Sequence, residues 1–114
     1  MNPSVINVLL VEDVPKYARM MREMLEEHRA TVFQLHWVES VEAGLQVLPE
    51  LKPDVLLLDL GVAVARGNET VPDIQRAAPY LPIIILSSLD DEEAADRIHI
   101  FSPGENCRSD RRSA

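Results

Sequence analysis

Three short runs of almost unbroken apolar residues divide the chain: Val5-Ile6-Asn7-Val8-Leu9-Leu10-Val11, Val55-Leu56-Leu57-Leu58 and Ile83-Ile84-Ile85-Leu86. They are rich in branched side chains and do not alternate with polar positions. Such runs predict strands buried on both faces, as in a parallel sheet covered by helices on each side. Val32 to Val38 is also β-branched and aromatic, but Gln34 and His36 interrupt it, which predicts a half-exposed edge strand. Helical spacing fills the intervals. After Pro15, which suits a first helical position, apolar residues fall at Tyr17, Met20, Met21, Met24 and Leu25. Ser40 is expected to N-cap a second helix with Val41, Leu45 and Leu48 inward, closed off by Pro49 and Pro53.

A third helix is expected to end near Ala78 with Val71, Ile74 and Ala77 inward. Thr70 as its N-cap would place Pro72 at the second helical position, where the missing N–H does no harm. Asp90 opens a fourth helix, with Glu93 completing a capping box and Asp91 and Glu92 at the positive end of its dipole. Strand and helix alternate throughout, which predicts an α/β fold: an open, doubly wound parallel sheet with helices on both faces.

Composition narrows the functional classes. The chain has 114 residues, 46% of them hydrophobic, and 11 Lys+Arg against 19 Asp+Glu give a net charge of −8. That predicts one domain with a real core, over residues 1–101, followed by a polar, solvated tail at 102–114. The acidity argues against nucleic acid and anionic membranes as partners, because those need Lys and Arg to displace counterions. The first residues have neither a basic leader nor a long apolar stretch, so the expectation is no membrane association. A single cysteine, Cys107, excludes an internal disulfide and favours a reducing, cytoplasmic setting. Trp37, His36, His28 and Cys107 suggest no chemistry by position.

The chemistry gathers where the strands end. The first buried run is followed by Glu12-Asp13, the third strand by Asp59 and the fourth by Ser87-Ser88. Parallel strands of a doubly wound sheet end at one edge, and that edge is where ligands bind. Carboxylates brought within ~4 Å of one another repel by about 1 to 4 kcal/mol per pair. No cationic residue follows these strands to offset that, and an all-oxygen set suits a hard divalent cation such as Mg²⁺. A phosphate-binding glycine loop is absent after the first strand, where Glu12-Asp13-Val14-Pro15 stands instead. Phosphate chemistry would therefore run through a metal or a covalent bond, with Asp59 as the candidate nucleophile. One Asp after a strand is more often a turn former or a helix cap; several on matched strand ends are harder to dismiss.

These residues also match a family. Val8-Leu-Leu-Val-Glu-Asp13-Val-Pro15, Pro53-Asp-Val-Leu-Leu-Leu-Asp59-Leu-Gly61, Gly67-Asn-Glu-Thr70 and Leu81-Pro-Ile-Ile-Ile-Leu-Ser87 resemble the receiver domain of bacterial two-component response regulators. The resemblance runs from about Val5 to Ile98. It implies a flavodoxin-like (CheY-like) fold with strand order 2-1-3-4-5. It further implies that Asp59 accepts a phosphoryl group from a sensor histidine kinase or a phosphotransfer protein. Mg²⁺ would be bound by Asp13, by Glu12 through water, by Asp59 and by the backbone carbonyl of Gly61. Ser87 stands where the family has the hydroxyl that contacts the phosphoryl oxygens.

The end of the chain departs from that pattern. The family's fifth strand leads into a Lys-Pro pair and a fifth helix, whereas no lysine occurs here after Lys52. Either Ile98-His-Ile-Phe101 is a truncated fifth strand or the chain diverges after Ile98; the polar composition beyond Pro103 favours divergence, with the fifth βα unit absent or altered. An uncovered fourth strand would then be a sheet edge through which a homodimer could form. Three functions compete. The first is a phosphorelay receiver that signals by protein contact and is no enzyme beyond its own phosphorylation. The second is a pseudo-receiver acting as an interaction module without phosphorylation. The third, an aspartyl phosphatase, needs an acid two residues after the nucleophile, where Gly61 stands.

Overall fold

The apolar runs form strands because their branched side chains fill both faces of a pleated surface. The structure, a computed structural model, describes residues 4–87 and 99–101, the last three through their backbone alone. Its strands are β1 (Ser4–Val11), β2 (Thr31–Val38), β3 (Val55–Asp59), β4 (Ile83–Leu86) and β5 (His99–Phe101). Its helices are α1 (Pro15–Glu26), α2 (Val41–Leu51), α3 (Leu60–Arg66) and α4 (Thr70–Ala77). The strands form one sheet in the order β2-β1-β3-β4-β5. The first four are parallel, and β2 lies at an edge, as the polar interruptions of its sequence predict.

Side chains alternate between two layers. Leu9, Val11, Leu56, Leu58, Ile83 and Ile85 point to the face covered by α2, α3 and α4, where Val41, Leu48, Val71 and Ile74 meet them. Val8, Leu10 and Leu57 point to the opposite face, where Ala18 of α1 packs and Met21, Trp37, Ile84 and Leu86 are half-buried. Asp54 fixes the entry to β3: Asn7 N–H donates to its carboxylate, and its own N–H donates to the Asn7 carbonyl at 2.7 Å.

Several helical details differ from the sequence expectation. In α1 the inward residue is Ala18, flanked by half-buried Tyr17, Met21 and Leu25, while Met20 and Met24 are 37% and 51% exposed. The small alanine lets the helix approach the sheet, turning the predicted stripe by part of a turn. Ser40 caps α2 as predicted, its hydroxyl accepting from Ala43 N–H at 3.1 Å. Pro49, however, lies inside α2 rather than ending it. It removes one internal hydrogen bond, a tolerable loss because the helix continues only to Leu51 before Lys52 turns left-handed at φ 49°.

The segment Val62-Ala-Val-Ala-Arg66, for which the sequence predicts no helix, belongs to helix α3. Its N-cap is Asp59, whose Oδ2 accepts from Val62 N–H at 3.1 Å. Gly67, at φ +111°, ends it in a conformation that side chains rarely adopt. In α4 the N-cap is Glu69, not Thr70, so Pro72 stands at the third helical position. That is still within the first turn, whose N–H groups have no helical partner. Thr70 instead donates its hydroxyl to the Ala63 carbonyl of α3. Ala77 is exposed, and Ala78 takes the inward place.

At the far edge β5 pairs with β4 antiparallel, Ile84 opposite Ile100, so β4 is not the open edge that the sequence suggested. The expected fourth helix from Asp90, its capping box at Glu93, Ser88 and the tail with Cys107 lie outside the described residues.

Candidate metal and phosphoacceptor site

The carboxyl ends of β1 and β3 place the acids together. β1 and β3 pair in register through Val11 and Leu58, so the residues following each emerge side by side. Glu12, Asp13 and Asp59 each present an oxygen, and these oxygens lie within 4.8 Å of one another. Ser87 follows Leu86, the register partner of Asp59, and is buried at the same edge with 6% exposure. The candidate acids and the hydroxyl therefore reach one edge of the sheet.

The three acids sit in different surroundings. Asp13 is exposed, Asp59 half-buried and Glu12 buried at 6% exposure. Burial pushes the Glu12 carboxyl up from 4.5 to about 7; Val14 N–H opposes the shift, and the charges of Asp59 and Asp13 add to it. Val14 N–H donates to Glu12 Oε2 at 3.1 Å. The Glu12 backbone is held as well, its N–H donating to the Val38 carbonyl at 3.0 Å and its carbonyl accepting from Trp37 Nε1 at 2.7 Å. Trp37 was not a candidate by sequence. Only the parallel register, which brings the end of β2 beside the end of β1, places it here.

Asp59 Oδ2 caps α3, and the carboxylate also shares a side-chain hydrogen bond with Glu12, which adds to the upward shift of Glu12. A Cβ at Gly61 would come within 2.9 Å of that oxygen, so the glycine leaves room for the carboxylate. Gly61 itself lies in the first turn of α3. A groove of about 320 Å³ runs from Asp13 between the start of α2 and α3 to Arg66. Arg66 is bound at 2.8 Å to Glu42 and 2.9 Å to Asp73, and Arg76 also pairs with Asp73. Among the described residues these ion pairs leave the acid cluster without a cationic partner.

Three clustered carboxylates without a counter-cation fit a hard divalent cation by charge and by donor type. The described residues hold no helix long and apolar enough to cross a membrane. Comparison with known proteins agrees with the geometry. KdpE, the KDP operon transcriptional regulatory protein of Escherichia coli K12, is 34% identical over 98 residues, covering 86% of this chain and 41% of that protein. The structure of RcsB from Salmonella enterica serovar Typhimurium bound to promoter rprA superposes with a TM-score of 0.62 at 28% identity, covering 75% of this chain and 43% of that one. The response regulator domain of Thermotoga maritima CheB gives a TM-score of 0.61 at 27% identity, covering 82% of this chain and 68% of that one. The chain thus spans less than half the length of KdpE. The family model for the response regulator receiver domain matches residues 8–103, and with the fold and the clustered acids this establishes that the chain belongs to the response regulator receiver family of two-component systems.

Proposed function

We propose that Asp59 accepts a phosphoryl group from the phosphohistidine of a sensor histidine kinase or phosphotransfer protein, with Mg²⁺ as cofactor. The observation that carries this is the convergence of Glu12, Asp13 and Asp59 within 4.8 Å at the carboxyl edge of the sheet. Oδ2 of Asp59 accepts from Val62 N–H, which holds the carboxylate whose oxygen would attack phosphorus. The new O–P bond forms as the P–N bond of the donor breaks, and the imidazole leaves with the bonding pair. Mg²⁺ bound to the acids would neutralise the carboxylate and the incoming phosphoryl oxygens. Asp13, Asp59 and the backbone carbonyl of Gly61 would hold it, with Glu12 acting through water. The Ser87 hydroxyl would donate to a phosphoryl oxygen.

The output would be protein–protein contact, in a cytoplasmic setting and without turnover of a separate substrate. KdpE is a transcriptional regulator, and RcsB has been captured on a promoter. This chain's own net charge of −8 opposes direct contact with nucleic acid. A homodimer through the β4 edge loses its basis, because β5 occupies that edge. A second reading, the pseudo-receiver, is favoured by one observation: no lysine follows Lys52 to hold a phosphoryl group. Incubation with a small phosphodonor separates the two. The receiver reading predicts one added phosphoryl mass, dependent on Mg²⁺; an unchanged mass at saturating donor and Mg²⁺ supports the pseudo-receiver.

A further inference from the structure

β1 stops pairing at Val11, so Glu12 is the first residue beyond the ladder. A backbone leaving a sheet is free to swivel, and with it the side chains that follow. Here both backbone groups of Glu12 are taken by adjacent residues of β2. Its N–H donates to the Val38 carbonyl, and its carbonyl accepts the indole N–H of Trp37 at 2.7 Å, shorter than the usual N–H···O distance of about 2.9 Å. The carbonyl of Glu12 belongs to the peptide plane that joins Glu12 to Asp13. Fixing that plane fixes the direction in which Asp13 leaves the strand. A swivel of this plane would move an exposed carboxylate away from two acids whose oxygens now lie within 4.8 Å of its own.

Trp37 is well placed to act as a rigid arm. Its backbone pairs with Leu10 in the β1–β2 ladder, and its ring is half-buried on the α1 face beside other half-buried apolar residues of β2. The indole nitrogen is a donor only, and Trp37 is the single tryptophan of the chain. We propose that Trp37 is a positioning residue for the metal site: its N–H orients the Glu12–Asp13 peptide so that the Asp13 carboxylate faces the cation. This rests on the reading of the cluster as a Mg²⁺ site. Outer-shell partners of metal ligands commonly change affinity by about tenfold or more when removed.

The test is calorimetric titration of the full chain with Mg²⁺, under conditions where circular dichroism shows each variant fully folded. Trp37→Phe keeps an aromatic ring and loses the donor, and Leu35→Ala on the same strand face controls for lost packing. The expected result is about tenfold weaker Mg²⁺ binding in Trp37→Phe, with Leu35→Ala matching the wild type although its urea midpoint falls. If Trp37→Phe fails to fold, replacing Trp37 with benzothienylalanine by biosynthetic incorporation retains the two-ring shape and removes only the N–H. The same tenfold loss is then expected. Wild-type affinity in the donor-free protein overturns the positioning role while leaving the metal site intact. Absence of Mg²⁺ binding by the wild type overturns the metal reading, and the positioning role falls with it.

Discussion

The body of the sheet and its carboxyl edge are built on opposite principles. In the body, Leu9, Leu58 and Ile83 are wholly excluded from solvent and belong to an apolar cluster completed by residues of α2, α3 and α4. At the edge, a few residues away, three carboxylates crowd together and one of them, Glu12, is buried. Burial that stabilises an apolar side chain destabilises an ionised one. The receiver thus carries a locally unfavourable arrangement on a strongly favourable support, which is the usual relation between a site and its scaffold.

The largest effects should come from the body and should leave the edge's ion response untouched. Ile83 and Ile84 are neighbours of identical type on opposite faces, the first fully buried and the second half-buried. Ile83→Ala is expected to cost about 3 to 4 kcal/mol in urea unfolding and Ile84→Ala roughly half as much. Both should bind Mg²⁺ as the wild type does while folded. Equal losses would show that the two faces are packed alike after all.

The edge should reveal itself through pH. Glu12 has a folded pKa raised from 4.5 to about 7, so the folded chain holds a proton that the unfolded chain has lost between those values. Its contribution is fully present below about pH 4.5 and disappears as pH rises through 7. Without metal, this group should lower stability by roughly 1 to 3 kcal/mol between pH 4.5 and 8. Millimolar Mg²⁺ should restore part of that loss at pH 8. Urea midpoints across this range, with and without the ion, check both parts.

Smaller changes distinguish a structural cap from a functional one. Ser40→Ala removes the cap of α2 and should cost about 1 kcal/mol with no change in Mg²⁺ affinity. Asp59 also caps a helix, but asparagine can accept the same Val62 N–H. Asp59→Asn should therefore raise the stability of the metal-free protein, by about 0.5 to 1 kcal/mol, because one of three like charges is gone. A loss of stability instead would mean that the cap outweighs the repulsion.

How much of this was legible in the sequence follows the same division. The three buried strands were readable because the runs are almost unbroken, and the acids because they directly follow the first two of them. Residues whose structure depends on neighbours far along the chain were not. α3 contains Gly61, Val62 and Val64, poor helix formers, and exists through the Asp59 cap and the packing of Leu60, Val62 and Ala63 against the core. The antiparallel direction of β5 has no sign in the residues of the strand itself. Trp37 gave no local sign of a role, because its partner is 25 positions away and is a backbone carbonyl.

The most direct measurement locates the phosphoryl group itself. The wild-type chain is incubated with a small phosphodonor and Mg²⁺, reduced with borohydride to trap any aspartyl phosphate, and sequenced by tandem mass spectrometry. The account predicts modification at Asp59, absent without Mg²⁺ and absent in Asp59→Asn. Modification at another residue, or labelling that Asp59→Asn leaves unchanged, would contradict it.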